Sequence, residues 1–267
     1  MTNENENTPY IQTAEEEYAS LAADAVLKAG CILMESSAEV YRVEETMTRI
    51  GNACKDVETC EAYVTLTGAM VTITTKHCTV TKIARTGEKG RNLQKIDKIN
   101  QLSRMVCRKS TDPEQLVEAL NQIDALTTVD PKSQIFFGAL AAVGFGIFFF
   151  CSPVEWLIIF VGGVLIQVAG LWINKLEVNT FLIIFMQSAL IALFYSVVHA
   201  TTHVLNIDKM MLADLMLLVP GLTLTNGLRD IISRNYLSGI VRIVEAILIG
   251  AFIVLGVAVV AGIGVLL

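Results

Sequence analysis

One stretch of the chain gathers residues able to handle a polar solute in apolar surroundings: Leu218-Val-Pro-Gly-Leu-Thr-Leu-Thr-Asn-Gly-Leu-Arg-Asp230. Pro220 removes a backbone donor and Gly221 relaxes the chain, so a helix passing through this point is expected to break or unwind. The carbonyls and amides freed there, with Thr223, Thr225 and Asn226 beside them, could coordinate a polar substrate, as the broken helices of transporters do. Arg229 could attract a carboxylate, and Asp230 could bind a coupling proton. Further on, Arg242 and Glu245 are three residues apart and share a helical face. Two readings of that pair stay open: an anion clamp or proton-coupled gate, and an ion pair that anchors a helix end at the membrane interface. Asp214, before the break, is either an outer gate or an interfacial residue.

Other polar residues are sparser. Gln167 and Gln187 stand alone in apolar runs, where a hydrogen bond between helices is the expected use. His199 and His203, four residues apart with Asp208 nearby, could share a metal, but they lack a firm third ligand. Six cysteines show no metal spacing, and the five that precede Gln134 read as reduced thiols. Neither a nucleophile motif nor a Walker-type loop is present, Gly87-x-x-Gly90 reads as a turn, and His77 is the one histidine of the first 133 residues. The residues therefore suggest no enzyme and no cofactor.

These side chains must be positioned by two unlike halves. The chain has 267 residues, 53% hydrophobic and 17% charged, with a net charge of −6. Fifteen of the 20 Lys+Arg and twenty of the 26 Asp+Glu precede Gln134. The acidic balance, without a basic stripe, argues against a nucleic-acid partner. The first residues are polar and acidic, with no secretory pattern, and residues 1–14 are expected to form a disordered tail. A membrane core about 30 Å thick needs about 20 apolar helical residues. Five segments are expected to cross: 135–151, 154–173 (with Glu155 and Trp156 as an interfacial anchor), 178–203, 210–224 and 238–267. With the N-terminus in the cytoplasm, Lys132, Lys175, Arg229, Arg234 and Arg242 fall inside and Lys209 outside, as the positive-inside rule favours. Gly138-x3-Ala142-x3-Gly146, Gly162-Gly163, Gly170, Ala246-x3-Gly250 and Ala258-x3-Gly262 let helices approach closely.

Residues 15–132 read as a cytoplasmic α+β domain. Helical periodicity covers 15–54 in two pieces parted near Ser36-Ser37, with Val40, Val43, Met47 and Ile50 on one face. Three β-like runs follow at 61–66, 69–75 and 79–85. An amphipathic helix covers 93–108, and Pro113 starts another.

Two sets of residues then carry a resemblance. In the first half they are Met34-Glu-Ser-Ser-Ala-Glu-Val-Tyr-Arg-Val-Glu-Glu-Thr-Met-Thr-Arg-Ile50, Asn92-Leu93 and Asn100-Gln-Leu-Ser-Arg104; in the second, Pro220-Gly221, Asn226, Arg229-Asp230, Ser238-Gly239 and Arg242. In this order, over about residues 15–265, the chain resembles the threonine/serine exporter family, and especially the larger subunit of its two-component form. Ser37 departs from the pattern, where glycine is expected. The resemblance implies a multi-pass protein of the cell membrane and secondary export driven by the proton-motive force. The implied substrates are threonine and serine, or dicarboxylates such as succinate. Its implied partners are the lipid bilayer and a small membrane subunit supplying the other half of the pathway, in an oligomeric assembly. A membrane-anchored ligand sensor or regulatory scaffold is the rival reading.

Overall fold

The computed structural model describes residues 8–87, 90–109, 111–126, 130–176, 178–201 and 206–266. Among these described residues, ten α-helices and three strands follow in the order α1 (Thr8–Glu35), α2 (Val40–Asn52), β1 (Thr59–Thr65), β2 (Gly68–Thr74), β3 (Thr79–Arg85), α3 (Leu93–Arg108), α4 (Pro113–Asp124), α5 (Pro131–Phe148), α6 (Pro153–Ile173), α7 (Thr180–Thr201), α8 (Ile207–Leu215), α9 (Gly221–Ile232) and α10 (Tyr236–Leu266). They form two compact units. The first contains residues 1–128 together with 226–240, and the second contains 129–225 and 241–267.

In the first unit, the apolar face expected on α2 is the face that packs: Val40, Val43, Met47 and Ile50 are each fully buried. The strands pair antiparallel in the order β1-β2-β3, with Thr65 opposite Gly68 at the first hairpin and Thr74 opposite Thr79 at the second. Along β2, Ala69, Val71 and Ile73 turn inward, while Thr72 on the other face meets Thr81 Oγ1 at 2.9 Å. The edge strand β3 carries Lys82, paired with Asp24 of α1 at 2.6 Å, a charge that discourages further pairing of the edge. Helix α1 begins at Thr8, inside the stretch expected to be a tail. Gln12, Ala14 and the Glu15–Glu17 run are good helix formers and extend the helix backwards.

Among the described residues, four helices are long and apolar enough to cross a membrane: 131–148, 153–173 and 180–201 of the second unit and, from α10, which begins in the first, 236–262. Long faces of α6 and α10 stay uncovered, among them Leu157, Trp172, Ile247 and Val254, as lipid contact requires. A fifth single span over 210–224 is not found. That stretch holds α8, of nine residues, a turn from Met216 to Pro220, and the start of α9. After Leu215 the chain tightens into turns, with Leu217 N–H donating to Asp214 O and Leu218 N–H to Leu215 O. Pro220, which has no N–H to offer Met216 O, keeps the helix from resuming before Gly221.

The small residues pack mostly as expected. A Cβ on Gly163 would lie 2.8 Å from Ala139 Cα, one on Gly146 would lie 2.5 Å from Ile159 Cδ1, and Gly138 accommodates the Gln167 side chain. On α10 the glycines of the expected pairs, Gly250 and Gly262, face open space, whereas Ala246 is buried and Gly256 makes a close contact against Ser188 and Phe185 O of α7. Gln187 Nε2 donates to Ile166 O at 2.9 Å, a hydrogen bond between helices as expected.

Candidate functional site

The break between α1 and α2 is a tight hydrogen-bonded cap. Ser37 N–H donates to Met34 O at 3.0 Å and Ala38 N–H to Leu33 O at 3.1 Å, with Ser37 at φ 64°. This is a Schellman ending, whose left-handed position usually holds glycine, so the departure noted at Ser37 falls at the position of this cap where a side chain carries a backbone penalty. Ser36 Oγ bonds back to Ile32 O at 2.7 Å. The chain then reverses through Ala38 and Glu39 and enters α2.

Onto this joint dock three residues of α9 that share a face at i, i+3 and i+4. Asn226 Nδ2 donates to Ser37 O at 3.4 Å. Arg229 Nη1 donates to Glu39 Oε1, and Arg42 Nε lies 3.2 Å from Glu39 Oε2. Asp230 Oδ1 accepts from Val40 N–H at 3.2 Å. Val40 opens α2, so its amide is one of the four donors that a helix leaves without an internal acceptor. The residue preceding it, Glu39, does not cap the helix with its side chain, and a carboxylate 190 positions away in sequence does so instead. Both carboxylates sit where the helix dipole favours negative charge. The hydrogen bond from Arg229 to Glu39, and the charge behind it, hold the guanidinium protonated beyond its already high ordinary value. The Glu39 side chain is 8% exposed, while that of Arg229 is 62% exposed, so the arginine remains open to a second anion.

Two segments picked out separately in the sequence are thus joined residue to residue. Their partner Gly239 closes the arrangement: a Cβ there would stand 2.7 Å from Gly227 O and 2.5 Å from Ile231 Cγ1, so α9 and the start of α10 touch through glycines. Other expected site residues lie elsewhere. Gly221, Thr223 and Asn226 are helical rather than unwound, because α9 re-forms immediately after Pro220. The interruption lies just before them, at Met216–Pro220. Arg242, 2% exposed, and the half-buried Glu245 lie on α10. His203 is outside the described residues, and among those described no cluster could hold a metal ion.

Sequence reading singled out Asp214 but not its partners. The residue is fully buried, and Tyr195 Oη donates to its Oδ2 at 2.7 Å. A Cβ on Gly162 would overlap that same oxygen. The available signal was a tyrosine late in an uncharged span and a double glycine, neither specific alone. Glu155, expected as a surface anchor, is 1% exposed: its Oε2 accepts from Ser152 N–H at 2.6 Å, closing the start of α6, and its Oε1 accepts from Asn206 N–H at 2.9 Å.

A family model, ThrE, described as "Putative threonine/serine exporter", matches residues 24–264. The chain belongs to the threonine/serine exporter family. The match takes in both units and every residue of the α9 cluster and its joint. No curated protein and no solved structure matches the chain. Membership in this exporter family, with four helices among the described residues long and apolar enough to cross a membrane, supports a membrane-embedded transport protein.

Proposed function

We propose that this chain is a subunit of a secondary exporter in the cell membrane, driven by the proton-motive force, that moves threonine, serine or a small dicarboxylate out of the cell. The observation that carries the reading is the interruption between α8 and α9, flanked along the chain by two fully buried carboxylates, Asp214 late in α8 and Asp230 late in α9. A plain anchor has no use for a broken helix or for a buried acid such as Asp214, which is costly in lipid. All the candidate substrates carry a carboxylate, and Arg229 exposes a guanidinium that Glu39 only partly occupies. Arrival of a substrate carboxylate at Arg229 would compete with Glu39 and loosen the joint of α1 and α2, which makes the pair a latch. Pro220, Gly221 and Thr223 shape the approach, Asn226 and Asp230 hold the joint, and Arg242 and Glu245 serve the later steps.

The distribution of Lys and Arg supports a cytoplasmic first unit. A separate small membrane subunit, in an oligomeric assembly, completes the pathway in this reading, as in the two-component form that the sequence resembles. The test is efflux from cells preloaded with threonine, serine and succinate, with this chain expressed alone and beside the small partner. Release of one compound only when both are present supports the reading and identifies the substrate. Equal release in all cells, with both proteins in the membrane, overturns it.

A further inference from the structure

We propose that Asp214 is a proton-binding carboxyl of the transport cycle, reached through the cavity that α7, α8 and the end of α10 enclose, with Tyr195 as the link between cavity and acid. The role in transport rests on the exporter reading above; the site itself rests on geometry.

The acid is fully buried, and its two oxygens differ. Oδ2 carries the 2.7 Å hydrogen bond from Tyr195, while Oδ1 is buried with no hydrogen-bond donor. Helix α8 packs against α5, α6 and α7, and the charges those helices offer are few. From α7 comes Tyr195, with His199 one turn further on. From α6 comes Gly162, which has no side chain; the carboxylate of that helix, Glu155, is taken by Ser152 and Asn206. Along α5 no ionisable residue follows Lys132. On α8 itself, Asp208 and Lys209 lie more than a turn nearer the N-terminus. Among the described residues no cation is paired with Asp214. Such an acid is poised to change its protonation state, since a neutral carboxyl costs far less to bury than a carboxylate with one oxygen lacking a donor. Acids inside membrane proteins commonly mark proton relays for this reason.

A route to the acid is also present. A cavity of about 410 Å³ is lined by Tyr195, Ser196, His199, Asn206, Asp208 and Met211, among others. Its volume falls within the roughly 300–1,000 Å³ of small-molecule sites. Ile207 and Met211 border the cavity, and Asp214 continues their helical face inward at i+7. Tyr195 borders it too, and its hydroxyl reaches the acid. A hydronium in the cavity can give a proton to the Tyr195 oxygen as the tyrosine passes its own hydroxyl proton to Asp214 Oδ2. Water and an intact phenol remain, and the carboxylate has become a neutral acid. In the orientation proposed above this cavity lies toward the outer face, the side from which protons enter when they drive export.

The site is tested on the purified full-length chain in lipid by pH-difference infrared spectroscopy. The wild type is expected to show a protonated-carboxyl carbonyl band that grows as pH falls, is lost in Asp214→Asn and is displaced in Tyr195→Phe. Tyr195→Phe keeps the ring and serves if Asp214→Asn fails to fold. A band set unchanged in a folded Asp214→Asn, or one that responds to sodium in place of pH, overturns the proposal. Transport supplies the second readout. Asp214→Asn is expected to keep threonine counterflow within about twofold and to lose the response to an imposed pH gradient by about tenfold or more, as for a proton-relay acid. A gradient response kept in Asp214→Asn would sink the proton site and leave the exporter reading standing. A titrating band in a protein that moves none of the three solutes would do the reverse.

Discussion

Replacing Asp230 with alanine should open the start of α2, although the two segments lie 190 residues apart in sequence. Val40 is fully buried, so its amide cannot turn to water once the carboxylate is gone. Removing an N-cap acceptor costs about 0.5–2 kcal/mol, and a buried donor left without an acceptor costs about 1–3 kcal/mol. The observed 3.2 Å is at the long end of the hydrogen-bond range, which places the expected loss near 2 kcal/mol, or about 30-fold in an opening equilibrium. Hydrogen exchange on the full-length protein reads this directly. The Val40 amide should exchange about 30-fold faster in Asp230→Ala. In Asp230→Asn, which retains an acceptor oxygen, the change should be about threefold. Protection along β2 should be unchanged and serves as the control for folding. Wild-type protection of Val40 in a folded Asp230→Ala would refute the cap between segments, and with it the claim that α9 organises the α1–α2 joint.

Other consequences can be checked together. If Glu39 and Arg229 form a latch, Arg229→Glu should abolish efflux, and adding Glu39→Arg should restore part of it in the same assay. Glycine contacts make a paired test: Gly239→Ala and Gly163→Ala meet backbone atoms within 2.8 Å, whereas Gly144→Ala and Gly250→Ala meet nothing within 4 Å. The first two should lose about 1–3 kcal/mol of stability by overpacking, visible as lower melting temperatures, and the second two should melt like the wild type. Burial pushes the Cys54 thiol up to about 11 and Cys60 up to about 12. The folded state therefore holds protons that the unfolded chain releases, so this contribution is complete below the ordinary thiol value near 9 and falls away as pH rises through about 11 to 12. Alkaline unfolding of the first unit should move to higher pH in Cys54→Ala, and a thiol reagent at neutral pH should label the exposed Cys107 well before either buried cysteine.

Local signals were legible wherever one short stretch carried them. The α2 face of Val40, Val43, Met47 and Ile50, the three Thr- and Val-rich strands and the α3 helix needed only periodicity, which neighbouring residues display by themselves. Apolar runs with at most one charge marked α5, α6 and α7 for the same reason, because the bilayer asks for length and composition and little else. The motifs at 34–50 and at 220–242 were visible as separate pieces, and Pro220 announced an interruption.

Only the tertiary structure decided what those pieces do to one another. The sequence could not show that the proline starts a new helix rather than loosening a span, because that depends on whether Gly221–Ile232 finds a surface to pack on; Gly227 and Gly239 supply one. Nor could it pair Asp230 with Val40, Arg229 with Glu39 or Asp214 with Tyr195, since a hydrogen bond between distant residues leaves no periodicity in either. Composition determined that this chain enters a membrane. Which of its few charges meet, and which stay buried with an oxygen to spare, depended on packing, because burial and distance are properties of the folded chain alone.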